Sequence, residues 1–248
     1  MMLLNPTYEY LRSYIERIPS RFEAEGTTIY HLRNEIKVME TPDGQKLNVK
    51  RYHIPNGLNR LIYSCGLRKP KGQRAFEYPA ILLRNGINSP TPIAYIEERQ
   101  AGLLGYTYFI SEQCDYPHTL YDMGNATPEL YEPMAQALAH LAASMHNKNI
   151  MHLDFTPGNI LWKHDEDGFK FSLVDTNRMY FGPVSINKGI NNLKRMWGPK
   201  AFFILLMQHY AEERGIIPQE VVDRALKLRR RFWINYQRKH NIPFKLEL

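Results

Sequence analysis

The hydrophobic pattern changes period once along the chain, and that change restricts the available folds more than any other feature. From Thr27 to Tyr52 three β-rich stretches, TTIYHL, EIKVME and KLNVKRY, are separated by Arg33-Asn34 and by Thr41-Pro42-Asp43-Gly44, which has turn chemistry. They read as an antiparallel meander. A helical stretch near Arg74 to Asn85 stops at Gly86; Pro90, Pro92 and two further strands, PIAYIEE and YTYFISE, follow. Farther on, Thr127-Pro128 gives an N-cap and a first-turn proline, and Leu130, Met134, Leu138, Leu141 and Met145 recur at helical spacing. Short β segments around NIMHL, NILW and FKFSLVD come next, with Asp165-Glu166-Asp167-Gly168 as a hairpin turn. Helical patterns then run through Ile186 to Trp197, Ala201 to Glu213 and Gln219 to His240. The expectation is an α+β fold in two lobes: a helical extension over 1–26, a β-rich lobe with one main helix over 27–113, and a mostly helical lobe over 114–248. A boundary near Gln113 to Asp122 would leave a cleft suited to a ligand.

Composition narrows the class. A chain of 248 residues, 44% hydrophobic and carrying sixteen Tyr and eleven Phe, has the apolar surface for a real core. Cys65 and Cys114 are the only cysteines and lack ligand spacing, so neither a disulfide framework nor a zinc site is expected, and a reducing cytoplasm fits. The opening MMLLNPTYEYLRSYIERIPSR lacks the pattern of a secretory signal and reads as a short amphipathic helix. The longest strongly apolar run, Ala201 to Met207, falls far short of the ~20 residues that cross a bilayer. A net charge of +7 favours an anionic partner without choosing one. No recognition helix or RNA-binding motif accompanies the basic residues, so no nucleic-acid partner is expected.

The chemistry is concentrated in His152-Leu153-Asp154-Phe155-Thr156-Pro157-Gly158-Asn159-Ile160-Leu161, followed by Phe171-Ser172-Leu173-Val174-Asp175. A loop between two short strands can direct one carboxylate to an acceptor hydroxyl and one carboxamide to Mg²⁺, while a second strand ends in another carboxylate on the metal. This segment resembles the catalytic loop and metal-binding Asp of kinases. The resemblance implies a two-lobed protein-kinase-like fold that uses ATP and Mg²⁺, with Asp154 accepting the hydroxyl proton and Asn159 and Asp175 holding the metal. Lys50, on the face of KLNVKRY opposite Leu47 and Val49, resembles the lysine that holds ATP phosphates. Glu77 is the candidate to hold that lysine, although Pro79 implies a helix that starts near Phe76 or bends there. Phe109 to Cys114 sits where a kinase hinge would offer backbone groups to adenine, which makes Glu112 and Cys114 the candidates there.

Each residue also has an ordinary reading on its own. Asp154 would cap a turn, Asp175 would end a strand, Lys50 would be a solvated strand residue, Glu77 a surface carboxylate, and Phe109 to Cys114 a plain strand end. Their joint order and spacing is what favours the kinase reading.

Departures from protein kinases are specific. There is no Gly-rich loop in the first hairpin, Leu153 replaces the arginine of His-Arg-Asp, Thr156 stands where a lysine is usual, and Asp175-Thr176-Asn177 replaces Asp-Phe-Gly. They point toward small-molecule and glycolipid kinases. The chain resembles most closely the lipopolysaccharide core kinases of the Kdo/WaaP family. The shared landmarks are Arg33-Asn34, Leu47-Asn48-Val49-Lys50-Arg51-Tyr52, Gly86-Ile87-Asn88-Ser89-Pro90-Thr91-Pro92-Ile93-Ala94 and Asn192-Leu193-Lys194-Arg195. That resemblance spans about Thr27 to Met196. It implies phosphorylation of an inner-core sugar, Kdo or heptose, on an anionic glycolipid at the cytoplasmic face of the inner membrane. Arg224, Lys227, Arg229, Arg230, Arg231, Arg238 and Lys239 lie among Phe232, Trp233 and Tyr236 in the last helix, which would either rest on an anionic bilayer or pack as a terminal helix with a solvated basic face. The alternatives are a soluble kinase of an aminoglycoside, an amino alcohol or a protein, and a nucleotide-binding pseudokinase.

Overall fold

Strand alternation in KLNVKRY buries Leu47 and Val49 completely and leaves Asn48 and Lys50 half-buried on the other face. A computed structural model describes the whole chain, Met1–Leu248, and divides it into two units. The first is Met1–Asp115 with Asp175–Asn177, and the second is Tyr116–Val174 with Arg178–Leu248.

The first unit begins with strand β1 (Met2–Leu4), a 3-10 helix (Pro6–Leu11) and two single helical turns, α1 (Arg12–Ile15) and α2 (Ile18–Arg21). Strands β2 (Thr27–His31), β3 (Glu35–Glu40) and β4 (Lys46–Tyr52) form the expected meander. Helices α3 (Gly57–Ser64) and α4 (Lys71–Arg84) precede β5 (Pro92–Gln100) and β6 (Leu103–Glu112). All six strands join one sheet in the order β1-β5-β6-β4-β3-β2, every pairing antiparallel.

The opening segment is not one helix set apart from this lobe. Pro6 and Pro19 each supply no backbone N–H and divide it into short pieces. β1 pairs with β5 at the sheet edge, and Tyr8, Leu11, Tyr14, Ile15, Ile18 and Phe22 pack on Met39, Leu47, Val49, Ile93, Ala94, Ile96, Tyr108 and Ile110. Fully burying an aliphatic side chain of this size stabilises by about 1.5–3 kcal/mol, so residues 1–26 help make the core they cover. The opposite face receives α4, where a side chain on Gly72 would meet the Tyr95 ring at 2.8 Å; the glycine lets helix and sheet approach. α4 runs unbroken through Pro79 and starts at Lys71, earlier than the proline suggested. α3 had no sequence signal strong enough to be expected.

The second unit opens with β7 (His118–Thr119), a 3-10 turn (Leu120–Asn125) and the long helix α5 (Pro128–Asn147). Met134, Leu138 and Met145 are fully buried along its inner face. The catalytic-loop region follows as β8 (Ile150–His152), β9 (Ile160–Asp165), β10 (Gly168–Leu173) and β11 (Met179–Phe181), then α6 (Ile186–Leu193), α7 (Lys200–Glu213) and α8 (Pro218–Gln237). β9 and β10 form the hairpin closed by Asp165 to Gly168, with β7 on its other edge, and β8 pairs with β11. α7 packs between α5 and α8. α8 is not uniformly basic on its surface: Arg229 is 1% exposed, donating to the Gly198 and Glu247 carbonyls, and Trp233 is buried as well. Burial pushes the Arg229 guanidinium down to about 10.

Candidate active site

In the first unit the chemistry gathers around β4. Lys50 is paired in register with Ile36 and Phe109, so its side chain leaves the sheet on the face opposite the apolar core. Its Nζ lies 2.5 Å from Asp175 Oδ1 and 5.2 Å from the centre of the Tyr52 ring. Burial pulls the ammonium down, but Tyr52 and Asp175 outweigh it, so the Lys50 pKa lies above that of an ordinary lysine. Asn177 Nδ2 donates to the same Asp175 oxygen at 2.6 Å. Asp175 itself has φ 55, a left-handed conformation that a short polar side chain tolerates, and it carries the chain from the end of a strand into this arrangement.

Glu77 is elsewhere. Its carboxylate accepts from Lys69 at 2.7 and 2.9 Å and from Gln73 at 3.0 Å, and no bond joins it to Lys50. The expected pairing is corrected to Lys50–Asp175. The reason is helix phase: Gln73 and Glu77 share one face of α4, and Lys69 just before the helix reaches that face first.

At the end of β6 the Glu112 side chain accepts from Tyr8 Oη at 2.6 Å, and the Glu112 and Gln113 amides are bonded to the Thr91 and Lys46 carbonyls. The Cys114 N–H donates to no group of the chain, whereas its carbonyl accepts from Gln113 Nε2 at 3.1 Å. A backbone amide without a partner in the chain can recognise a heteroaromatic ring edge.

In the second unit the loop after β8 presents Asp154. Arg195 donates to its Oδ1 at 2.9 Å and Arg178 approaches Oδ2 at 3.4 Å. Each carboxylate oxygen keeps a further lone-pair direction, so Asp154 can still accept from a hydroxyl. Asn159 Nδ2 donates to the Asp154 carbonyl at 2.9 Å, and its amide to the Thr156 carbonyl, which closes the loop and leaves Asn159 Oδ1 with no donor from the chain. Gly158 is needed because a Cβ there would lie 2.8 Å from the Tyr121 ring.

Behind the loop runs a buried, directional chain of hydrogen bonds. Arg214 donates to Tyr210 Oη at 2.8 Å, and Tyr210 Oη lies 2.9 Å from His146 Nδ1. His146 Nε2 meets Asn192 Oδ1 at 3.3 Å, and Asn192 Nδ2 donates to the His152 carbonyl at 2.9 Å. Because the Asn192 oxygen must accept, His146 carries its proton on Nε2 and accepts from Tyr210 on Nδ1. His152 in turn accepts the Asp154 N–H on Nδ1 at 3.1 Å and meets the Val174 carbonyl through Nε2 at 3.1 Å. Burial pushes the His146 pKa down to about 4.

The donor types suit a hard divalent cation. Mg²⁺ prefers oxygen and is generally held by one or two carboxylates with substrate phosphates and water. Each unit carries one oxygen donor of that type, the Asp175 carboxylate in the first and the unengaged Asn159 carboxamide oxygen in the second, and no cluster of three His, Cys, Asp or Glu side chains exists to cage a metal alone. Sequence reasoning did not single out Tyr52, Arg178, Asn192 or Arg195 for these contacts. Asn177, two residues after Asp175, had a local signal; Arg195, 41 residues from Asp154, had only its place in a family landmark.

Comparison with known proteins identifies the lineage. The model of the lipopolysaccharide kinase (Kdo/WaaP) family matches residues 25–197, well over half of the chain. The chain belongs to that family. As a Kdo/WaaP family member it is a kinase. A structure of WaaP in complex with acyl carrier protein is similar over 96% of this chain and 97% of that one, with TM-score 0.60 at 16% identity, which shows the shared kinase-like fold. A Rio2 kinase from Chaetomium thermophilum, solved with ADP, Mg²⁺ and phosphoaspartate, matches 93% of this chain and 62% of its own at TM-score 0.47 and 12% identity. A protein of Acanthamoeba polyphaga mimivirus named as a serine/threonine-protein kinase is 26% identical over 160 residues, 64% of this chain. The chain spans only 26% of that relative's length. No helix is long and apolar enough to cross a membrane.

Proposed function

We propose that this Kdo/WaaP family kinase transfers the γ-phosphoryl group of ATP to a hydroxyl of a lipopolysaccharide inner-core sugar, Kdo or heptose, on an anionic glycolipid. The pairing of Lys50 with Asp175, in a chain whose family acts on lipopolysaccharide, is the observation that carries this reading.

In this reading Lys50 neutralises the ATP phosphates and Asp175 and Asn159 hold Mg²⁺, which supplies charge neutralisation on the transferring group. Asp154 orients the acceptor hydroxyl and takes its proton, steadied by Arg195. The Cys114 amide and the Glu112 carbonyl receive adenine. Glu77 has no part in it. The exposed basic residues of α8, Arg224, Lys227 and Arg230 among them, favour approach to the cytoplasmic face of an anionic membrane.

The test is phosphate transfer from ATP to purified lipopolysaccharide core glycolipid, read by mass spectrometry as the gain of one phosphate, with aminoglycosides, choline and a generic protein as parallel acceptors. Asp154→Ala should abolish transfer while nucleotide affinity changes by less than about threefold. Preferential phosphorylation of a parallel acceptor, or full activity in Asp154→Ala, would overturn the assignment.

A further inference from the structure

A groove of about 700 Å³ lies between the end of α6 and the last turns of α8. Four cations line it, Lys194, Arg231, Arg238 and Lys239, and none of its lining residues is acidic. Elsewhere in the chain Arg12, Arg21, Arg51 and Arg99 each meet a carboxylate. The four groove cations meet none. Lys194 is held in place by Asn191 Oδ1 at 2.7 Å, and its ammonium is disfavoured by burial and by Arg195 and Arg231. Like charges gathered without counter-charge are relieved by an anion.

The floor is aromatic. Lys194 and Arg195 lie 5.9 and 5.8 Å from the Phe232 ring centre, and Tyr236 stacks on Phe232 at 5.7 Å. Rings of this kind offer apolar faces to the C–H side of a sugar. The groove also has a fixed relation to the catalytic loop, because Arg195, which lies against Phe232, is the residue that holds Asp154 Oδ1.

We infer that this groove binds an oxyanion of the phosphoryl acceptor, a phosphate monoester or a carboxylate, through Lys194, Arg231, Arg238 and Lys239, with the sugar ring against Phe232 and Tyr236. The inference rests on the kinase reading above and gives it a basis for selecting anionic sugars. Bidentate capture by arginine together with a lysine point charge suits either group. The four cations are binding residues, and the chemistry stays with Asp154.

The test compares wild type with Lys194→Gln/Arg231→Gln, which removes charge with little change in length. Inorganic phosphate and Kdo monosaccharide are titrated separately, following the indole N–H resonance of Trp233, whose ring lies 5.2 Å from Phe232. Both anions should bind wild type, and at least one should weaken about tenfold or more in the variant, the one affected naming the group the site prefers. The KM for core glycolipid should rise about tenfold, with kcat and the KM for ATP within about twofold. Arg238→Gln/Lys239→Gln, at exposed positions where folding is not at risk, should move both readouts in the same direction. Unchanged binding of both anions overturns the inference. So does an unchanged glycolipid KM in variants that merely lose partitioning to anionic vesicles, which would make the groove a membrane contact. If wild type phosphorylates no glycolipid, the proposed function fails, and the anion titrations alone then decide the groove.

Discussion

Lys50 Nζ and Asp175 Oδ1 stand 2.5 Å apart, so the strand lysine is held by the acid that follows Val174 and not by a helix glutamate. Lys50→Met should lower kcat/KM by about 10² or more, because it removes a preorganised cation from the site of developing charge. Glu77→Gln, which disturbs only contacts to Lys69 and Gln73, should leave kcat/KM within about threefold. Steady-state kinetics on both variants check the contrast, and equal losses would show that Glu77 replaces Asp175 at Lys50 during turnover.

Asn192 joins His146 to the His152 carbonyl, and its removal takes one buried hydrogen bond from each end. Asn192→Ala should destabilise the chain by about 1–3 kcal/mol in denaturant unfolding. It should also lower kcat while the KM for ATP stays near wild type, since the loop it supports presents Asp154. A stability loss with kcat unaltered would confine Asn192 to packing.

Buried and neutral, His146 makes stability depend on acid. Its pKa is about 4 in the folded chain against about 6.5 for an ordinary histidine, so below pH 6.5 the unfolded chain binds the extra proton. The stabilisation is complete above about pH 6.5 and is lost as pH falls toward 4, by about 3 kcal/mol at most. Unfolding midpoints of wild type and His146→Gln, measured across that range, should converge as pH falls. Parallel curves would place the acid sensitivity elsewhere.

Gly189 faces the same network. A Cβ at this position would come 1.9 Å from Tyr210 Oη, an atom held between His146 and Arg214. Gly189→Ala should cost about 2–3 kcal/mol or more, seen as a lower unfolding midpoint, because the crowded atom is fixed on both sides. Adding Tyr210→Phe should recover part of the loss by removing that atom, and failure to do so would mean the strain lies in the backbone of α6.

Much of the fold was legible because its signals are local. The meander of β2, β3 and β4 follows from alternation and from Thr41-Pro42-Asp43-Gly44, and α5 from the spacing of Met134, Leu138 and Met145. The run from His152 to Asn159 was legible for the same reason: the loop closes on itself through Asn159 and the Asp154 carbonyl, five residues apart. Contacts set by tertiary packing were not. Nothing in α4 says that Lys69 will reach Glu77, and nothing near Asp154 announces Arg195. The division of residues 1–26 into strand and turns was hidden because their amphipathic pattern suits a helix, and pairing of β1 with β5 overrode it.

The brief return of Asp175–Asn177 to the first unit bears on how this protein can be dissected. A gene truncated after Asp115 would encode the whole six-stranded sheet and still be incomplete, since an ammonium would stand beside the Tyr52 ring with its neutralising acid missing. Two halves expressed separately would therefore have to exchange three residues of chain before either regained its native electrostatics, which makes split versions cut at that boundary poor reporters of the intact enzyme.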